Sequence, residues 1–266
     1  MTRIPFYKAH GTGNDFIIFI DDQLPEIIRQ PKFISKICTR RTGIGADAVM
    51  IITQVDGYDY KMDYYNSDGS WETMCANGSR CTAKVMFMEG LTDSKINFLA
   101  GDGPHQMEIL ENGMVKLQMT PPSYKSNHLK VNGYSGIHVD SGATHFVTNV
   151  PVLNVDMVEA AAPGIRYNDL FSPRGINVNF YHEIDSSHLE VITYEKGIEK
   201  VMLSCGSGSV ASVYHASQNS NLESPVEITV PGGKLYVDFD KSWKEVWLTG
   251  PAVILFKSQL NPLDFQ

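Results

Sequence analysis

Apolar and polar residues alternate most clearly in a set of short runs. TGNDFIIFI, KMDYY, INFLAGDGPHQMEI and VKLQMTPP mark the first half of the chain. ATHFVTNVP, VITYE, VEITVPGGKLYVDF and VWLTGPAV mark the second. Each run either has a period of two or is a brief apolar stretch bounded by Gly and Pro, so each reads as a strand closed by a turn. The PGGK at 231–234 has the composition of a hairpin turn. Helical spacing follows two cysteines. Cys81, Val85 and Met88 fall at i, i+4 and i+7, and Val210, Val213 and Tyr214 at i, i+3 and i+4.

These patterns repeat in register. Adding 130 to the residue number carries Phe16 to Phe146, Gly45 to Gly175, Tyr64 to Tyr194, Cys75 to Cys205, Gly78 to Gly208, Ser79 to Ser209, Gly103 to Gly233 and Pro121 to Pro251. The fold class that follows is α+β: two similar domains related by internal duplication, each with a helix entered through Cys-x-x-Gly-Ser. The prolines and polar residues of MTPPSYKSN interrupt the strand signals near 115–125. They divide the chain into a first domain at 1–119 and a second at 120–266, the C-terminal tail being able to pack back on the first. Duplicated domains commonly pack about a pseudo-twofold axis, and ligands often bind at domain interfaces. The active site is therefore expected in a cleft, with Cys75 and Cys205 pointing at each other across it.

The bulk composition narrows the partners. A chain of 266 residues, 42% hydrophobic, can bury a proper core. Its net charge of -8, with no Lys/Arg-rich block, argues against a nucleic-acid surface. The opening MTRIPFYKAHGTG lacks the apolar core of a signal peptide, and no apolar run approaches the ~18 residues needed to span a bilayer. A soluble, cytoplasmic protein with no membrane partner is the expectation. The cysteines are Cys38, Cys75, Cys81 and Cys205. They form neither a disulfide scaffold nor paired CxxC zinc ligands, and His145, His182 and His188 lack the helical spacing of further ligands, so no metal is expected. Cys75 and Cys81, six apart, lie roughly 240° around a helix from each other. Cys38 and Cys81 read as buried packing residues.

Two thiols at helix entrances admit three chemistries: a redox disulfide, a soft-metal site, or an acid and a base on opposite faces of one substrate. The third accounts for more of the surrounding residues. Inverting a stereocentre needs one group to remove the Cα proton and another to deliver a proton to the opposite face. A helix N-terminus moves a thiol towards the neutral pKa at which such transfer works best. Its backbone N–H groups can also hold an α-carboxylate. Asn77, Gly78 and Ser79, and Gly206, Ser207 and Gly208, are small enough for that close approach.

At these residues the chain resembles the diaminopimelate epimerase family over nearly its whole length. The matching stretches are HGTGNDF at 10–16, RRTGIGAD at 40–47, YNSDGSWETMCANGSRC at 65–81, LAG at 99–101, GATHFV at 142–147, GINVNF at 175–180, TYEKG at 193–197, SCGSG at 204–208 and LTGPA at 248–252. The resemblance implies cofactor-independent interconversion of LL- and meso-diaminopimelate between two cysteines, in lysine and peptidoglycan precursor synthesis, in a homodimer. The resemblance assigns catalytic roles to Cys75 and Cys205, with His145 and Glu195 in support. Substrate contacts carried over are Asn14, Asn66, Asn177, Glu195 and Lys196, and the backbone of Ala76, Asn77, Gly206 and Ser207 is the carboxylate cradle.

Two departures bear on the far end of the substrate. The family's Glu-Arg is Glu195-Lys196 here, and the Asn of its Asn-Pro-His motif is Ala143. Arg and Lys are not equivalent at a bidentate site. The alternative they raise is a racemase of another amino acid, such as histidine, on the same scaffold. A non-catalytic binding or redox-sensing protein is the third reading, and the presence of both thiols speaks against it.

Overall fold

The runs that alternate in the sequence are strands, and their pairing explains why some alternate and others do not. The structure is a computed structural model that describes residues 3–20 and 24–265. It divides into two units, Met1–Leu117 with Pro251–Gln266, and Gln118–Gly250.

The first unit begins with β1 (Ile4–Gly11), β2 (Asn14–Ile20), α1 (Pro31–Cys38), β3 (Ala48–Thr53), β4 (Tyr60–Asn66) and β5 (Trp71–Glu72). It continues through α2 (Ala76–Met88), β6 (Lys95–Ala100), β7 (Gly103–Ile109) and β8 (Val115–Gln118). β2 is antiparallel to β1 and parallel to β3, and β4 is antiparallel to β3 and parallel to β6. β7 is antiparallel to β6 and β8 to β7. The apolar run in β2 is buried on both faces. Ile17 and Phe19 pack with Val49 and Ile51 and with Phe33, Ile34 and Ile37 of α1. Phe16 and Ile18 point to the opposite face and are fully buried there. α2 packs against β1, β2, β3 and β7.

The second unit repeats the plan. It runs through β9 (Ser123–Tyr124), β10 (Leu129–Val131), β11 (Tyr134–Asp140), β12 (Thr144–Asn149), α3 (Val155–Arg166), β13 (Asn177–Asp185), β14 (His188–Glu195) and β15 (Lys200–Met202). Then come α4 (Gly206–Ser217), β16 (Val226–Val230), β17 (Gly233–Phe239) and β18 (Val246–Gly250). β12 is antiparallel to β11 and parallel to β13, and β14 is antiparallel to β13 and parallel to β16. Phe146, Val178 and Phe180 pack on Val158, Ala162 and Ile165 of α3, as Ile17, Val49 and Ile51 pack on α1, so in these strands the copies match at an offset of 129 rather than the 130 read from the sequence. Gly45 and Gly175 both take positive φ, 79° and 65°. Duplication thus extends to the backbone, at places where a side chain would be strained.

A last strand, β19 (Val253–Leu260), pairs antiparallel with β1, Ile4 opposite Leu260. Residues 251–266 therefore group with the first unit, the packing back of the C-terminal tail that the sequence division at 119/120 had allowed for. The periodicity after Cys81 also overreaches by one residue: Val85 is fully buried but Met88 is 57% exposed at the end of α2. Cys38 and Cys81 are buried, and desolvation pushes both thiols up to about 12. They stay neutral near pH 7. Among the described residues, no helix is long and apolar enough to cross a membrane.

Candidate active site

Cys75 and Cys205 each stand one residue before a helix. Both take extended backbone, φ -139°, ψ 113° at Cys75 and φ -132°, ψ 111° at Cys205. In that position the side chain lies at the mouth of the helix, beside the N–H groups that the first turn leaves unpaired. Ser79 and Ser209 each turn their hydroxyl back onto the cysteine carbonyl at 2.9 Å, fixing the first turn from within. The approach to each helix is braced from outside as well. The N–H of Gly101, in the β6–β7 turn, donates to the Thr73 carbonyl at 2.8 Å. The N–H of Gly232, in the β16–β17 turn, donates to the Leu203 carbonyl at 2.8 Å.

Glycine in the first turn has a packing reason beyond the backbone approach read from the sequence. A Cβ at Gly78 would lie 1.9 Å from the Met50 terminal methyl and 3.3 Å from the Phe16 ring. A Cβ at Gly208 would lie 2.3 Å from Asn179 Oδ1, 3.0 Å from Thr193 Oγ1 and 3.2 Å from Cys205 Sγ.

In the first unit the structure brings Asn14, Cys75 and Asn77 together. Asn14 Oδ1 accepts from Asn77 Nδ2 at 3.3 Å and lies 3.9 Å from Cys75 Sγ, while its Nδ2 donates to Asp47 Oδ2 at 2.9 Å. Asp47 in turn accepts from Arg40, 2.9 Å. Asn77 Oδ1 accepts from Arg80 at 2.8 Å, and Arg80 also donates to Thr12 Oγ1 at 3.1 Å and the Ala76 carbonyl at 3.2 Å. Arg80 is completely buried, and desolvation pulls its guanidinium down to about 10, still protonated at neutral pH. Asn66 is held within the β4–β5 hairpin, accepting from Tyr64 Oη at 2.6 Å and donating to Ser70 Oγ at 3.2 Å. Trp71 is 49% exposed, and the Gly101 backbone leaves room for its ring: a Cβ there would lie 2.6 Å from it.

In the second unit Cys205, Ser207 and His145 come together. Cys205 Sγ is 3.7 Å from Ser207 Oγ, which is 3.0 Å from His145 Nε2. His145 Nδ1 is 2.8 Å from Asn179 Nδ2. Burial pushes the pKa of His145 down to about 3, so the ring is neutral. Asn177 Nδ2 donates to the Thr144 carbonyl at 3.1 Å and its Oδ1 accepts from the Lys196 N–H at 2.9 Å, shaping the turn that follows Glu195. Glu195 is half-buried at the end of β14 and Lys196 is exposed. Among the described residues, no group of three or more His, Cys, Asp or Glu is placed to share a metal ion.

Arg80, Asp47 and Asn179 were not singled out from the sequence. Arg80 had a visible signal, a charge five residues past Cys75 inside an apolar helical pattern. Asn179 had one too, a polar residue in the apolar run GINVNF.

A family model described as diaminopimelate epimerase matches residues 6–125 and 137–255. The chain is 35% identical to the diaminopimelate epimerase of Aquifex aeolicus over 274 residues, covering 96% of this chain and 97% of that one. It is 36% identical to that of Flavobacterium psychrophilum over 260 residues, covering 96% and 99%. Solved structures share the fold at lower identity. A phenazine biosynthesis protein of the PhzF family from Enterococcus faecalis superposes with a TM-score of 0.73 at 17% identity, covering 98% of this chain and all of that one. A hydroxyproline epimerase from Agrobacterium vitis, with bound trans-4-hydroxy-L-proline, gives 0.73 at 13% identity, covering 99% and 94%.

Proposed function

The chain belongs to the diaminopimelate epimerase family and is an isomerase, and from that premise we propose that it interconverts LL- and meso-diaminopimelate by proton transfer between Cys75 and Cys205. The observation that carries this reading is the repeated placement of a thiol one residue before a helix, at nearly the same φ and ψ in both copies. One cysteine, as thiolate, takes the Cα proton. The other, as thiol, gives a proton to the opposite face of the carbanion. As the proton leaves, negative charge moves onto the α-carboxylate, and the N–H groups of the first helical turns stabilise it there. No group outside the chain is needed for these two transfers. His145 orients rather than titrates, since its ring stays neutral across the working range.

Asn14, Asn66, Asn177 and Glu195 supply polar contacts to the substrate, and Lys196 supplies charge to its far carboxylate. The chain passes from the first domain to the second near residue 118, and the C-terminal tail belongs with the first. The protein acts in the cytoplasm, as a homodimer, in lysine synthesis.

The test is Cα-hydrogen exchange followed by proton NMR in deuterium oxide, with reduced protein, no added cofactor, and LL-diaminopimelate beside a panel of L-amino acids. Exchange and inversion of diaminopimelate are expected, with Cys75→Ala and Cys205→Ala each lowering the rate by about 10²- to 10⁴-fold. Exchange of a different amino acid, with diaminopimelate ignored, moves the substrate. Undiminished exchange in either variant removes the two-thiol mechanism.

A further inference from the structure

The two thiols have the same backbone setting, but the hydrogen-bond chains behind them run in opposite directions. Behind Cys205, the Phe146 carbonyl can only accept, and it lies 3.4 Å from Asn179 Nδ2. On its other side Asn179 Oδ1 accepts from Thr193 Oγ1 at 2.8 Å. The amide is thereby turned so that its NH₂ also faces His145 Nδ1, which must accept. His145 is fully buried and neutral: desolvation opposes its protonation and outweighs the hydrogen bond with Asn179 that favours it, and the like charges of His138 and Lys196 add to the opposition. A neutral imidazole whose Nδ1 accepts carries its proton on Nε2. That N–H points at Ser207 Oγ, and the serine is left to give its own hydroxyl proton to Cys205 Sγ. A donated hydrogen bond favours the charged form of the sulfur.

Behind Cys75 the two ends of the chain are one-way groups. Arg80 can only donate, so Asn77 turns its oxygen to Arg80 and its NH₂ to Asn14. Asp47, held by the Arg40 cation, can only accept, so Asn14 turns its NH₂ to Asp47. Both amides are fixed, and Asn14 presents an oxygen to Cys75 Sγ. An acceptor there suits S–H and opposes S⁻.

We propose that Asn179 and Ser207 act as positioning residues that make Cys205 the resting thiolate, while the Arg80–Asn77–Asn14 chain makes Cys75 the resting thiol. The proposal rests on the two-thiol reading above and adds the direction of the first transfer. In the resting protein Cys205 is the base that takes the Cα proton and Cys75 is the acid that returns one. After a turnover the two have exchanged states, and a proton must pass back before the next substrate of the same hand. The opposing force is the buried positive charge of Arg80, which draws Cys75 towards thiolate.

The test uses substrate-free protein, so its failure leaves turnover untouched, whereas failure of Cα exchange would remove the reading beneath it. Two measurements are made near neutral pH: ¹⁵N-histidine NMR of the His145 ring, and mass-spectrometric timing of iodoacetamide alkylation at each cysteine. Cys38 and Cys81 serve as unreactive internal controls. The native ring is expected as the Nε2–H tautomer, with Cys205 alkylated before Cys75. Ser207→Ala should slow Cys205 alkylation about tenfold, the worth of one hydrogen bond to a thiolate, and leave Cys75 unchanged. Ser207→Thr keeps the hydroxyl and should keep the rate. Asn179→Asp places an acceptor at Nδ1 and should move the ring proton there. Faster alkylation of Cys75 in the native protein would mean that the Arg80 charge outweighs the amide order, and the proposal falls. A native Nδ1–H tautomer, or equal slowing by Ala and Thr at position 207, overturns it too, and neither native measurement depends on a variant folding.

Discussion

Arg80 and Val210 stand at the same place in the two copies, five residues past the cysteine, and both are completely buried. One interior therefore contains a guanidinium where the other contains an isopropyl group. Among the described residues the Arg80 cation has no carboxylate as a hydrogen-bond partner. It is held by oxygens of Thr12, Ala76 and Asn77, with the Pro251 carbonyl at 3.5 Å.

Replacing Arg80 by Met should lower stability by about 3 kcal/mol, since it strands several buried acceptors at once. Urea unfolding checks this directly. Arg80→Met should also lower Cα exchange, because Asn77 loses the group that orients it. A variant within about 0.5 kcal/mol of the native protein would show that water fills the site at little cost.

Gly208→Ala and Gly78→Ala separate packing from chemistry. The methyl at 78 meets the end of the flexible Met50 side chain, which can yield. The methyl at 208 meets Asn179 Oδ1, Thr193 Oγ1 and Cys205 Sγ together. Both changes should cost about 1–3 kcal/mol of stability. Only Gly208→Ala should also shift the ¹⁵N resonances of His145, because it displaces the amide that sets the ring.

Stability should fall as acid is added, in a window set by two histidines. Burial holds His145 near 3 and His215 near 4, both below the ~6.5 of an unfolded histidine. Between these values the unfolded chain binds protons that the folded chain refuses, so stability rises with pH there. The full contribution is present above pH ~6.5 and drains away as pH falls towards 4 and then 3, at up to about 1.4 kcal/mol per pH unit for each ring. Denaturant titrations at pH 7 and 5 measure the slope. In His215→Gln, which removes one of the two rings, the slope should be roughly half as steep.

Asp15 acts lower on the pH scale. Its partial burial works to raise its pKa, but hydrogen bonds and charge from Arg40 and Lys8 prevail and hold it at about 2. Its contribution is complete above the unfolded value of ~3.9 and is lost between there and 2, about 1 kcal/mol once solvent screening is allowed for. Asp15→Asn should abolish that acid limb and leave the histidine window in place.

Lys196 sits exposed after β14, and on the proposed function it faces the far carboxylate of the substrate. Lys196→Met should raise KM for diaminopimelate about ten- to a hundredfold with little change in kcat, because gripping the far carboxylate holds ground state and transition state alike. Lys196→Arg should restore the native KM or improve on it. A fall in kcat with KM unmoved would place Lys196 at the reacting end instead.

The repeat was legible because it fixes backbone. Gly45 with Gly175, and Gly103 with Gly233, mark positive φ at matched places, and Cys75 with Cys205 mark matched helix entrances. The outer helices α1 and α3 went unread. α1 has only eight residues, with Phe33, Ile34, Ile37 and Cys38 as its buried stripe, short enough to pass for a loop beside stronger strand signals. The capping of α3 by Asn154, 2.9 Å from the Met157 N–H, was a local cue available in the sequence. The final strand could not be assigned to a unit from its pattern, since pairing with β1 spans almost the whole chain. Asn179 and Arg80 were visible only as breaks in an apolar pattern. A period-two or helical pattern counts a polar residue on a buried face as an interruption, and only the structure supplies the partners that make it tolerable.

The two braces beneath the cysteine loops also govern how the molecule opens. Gly101 and Gly232 lie in tight turns at the ends of hairpins, where amides ordinarily exchange with solvent in local fluctuations that cost little. Each instead donates to the carbonyl two residues before a cysteine. Fraying of the hairpin tip and release of the thiol-bearing loop therefore become one cooperative event in each unit, a small foldon. The amide protons of Gly101 and Gly232 should therefore exchange slowly and register any loosening of the loops that carry Cys75 and Cys205 without a label on the cysteine itself.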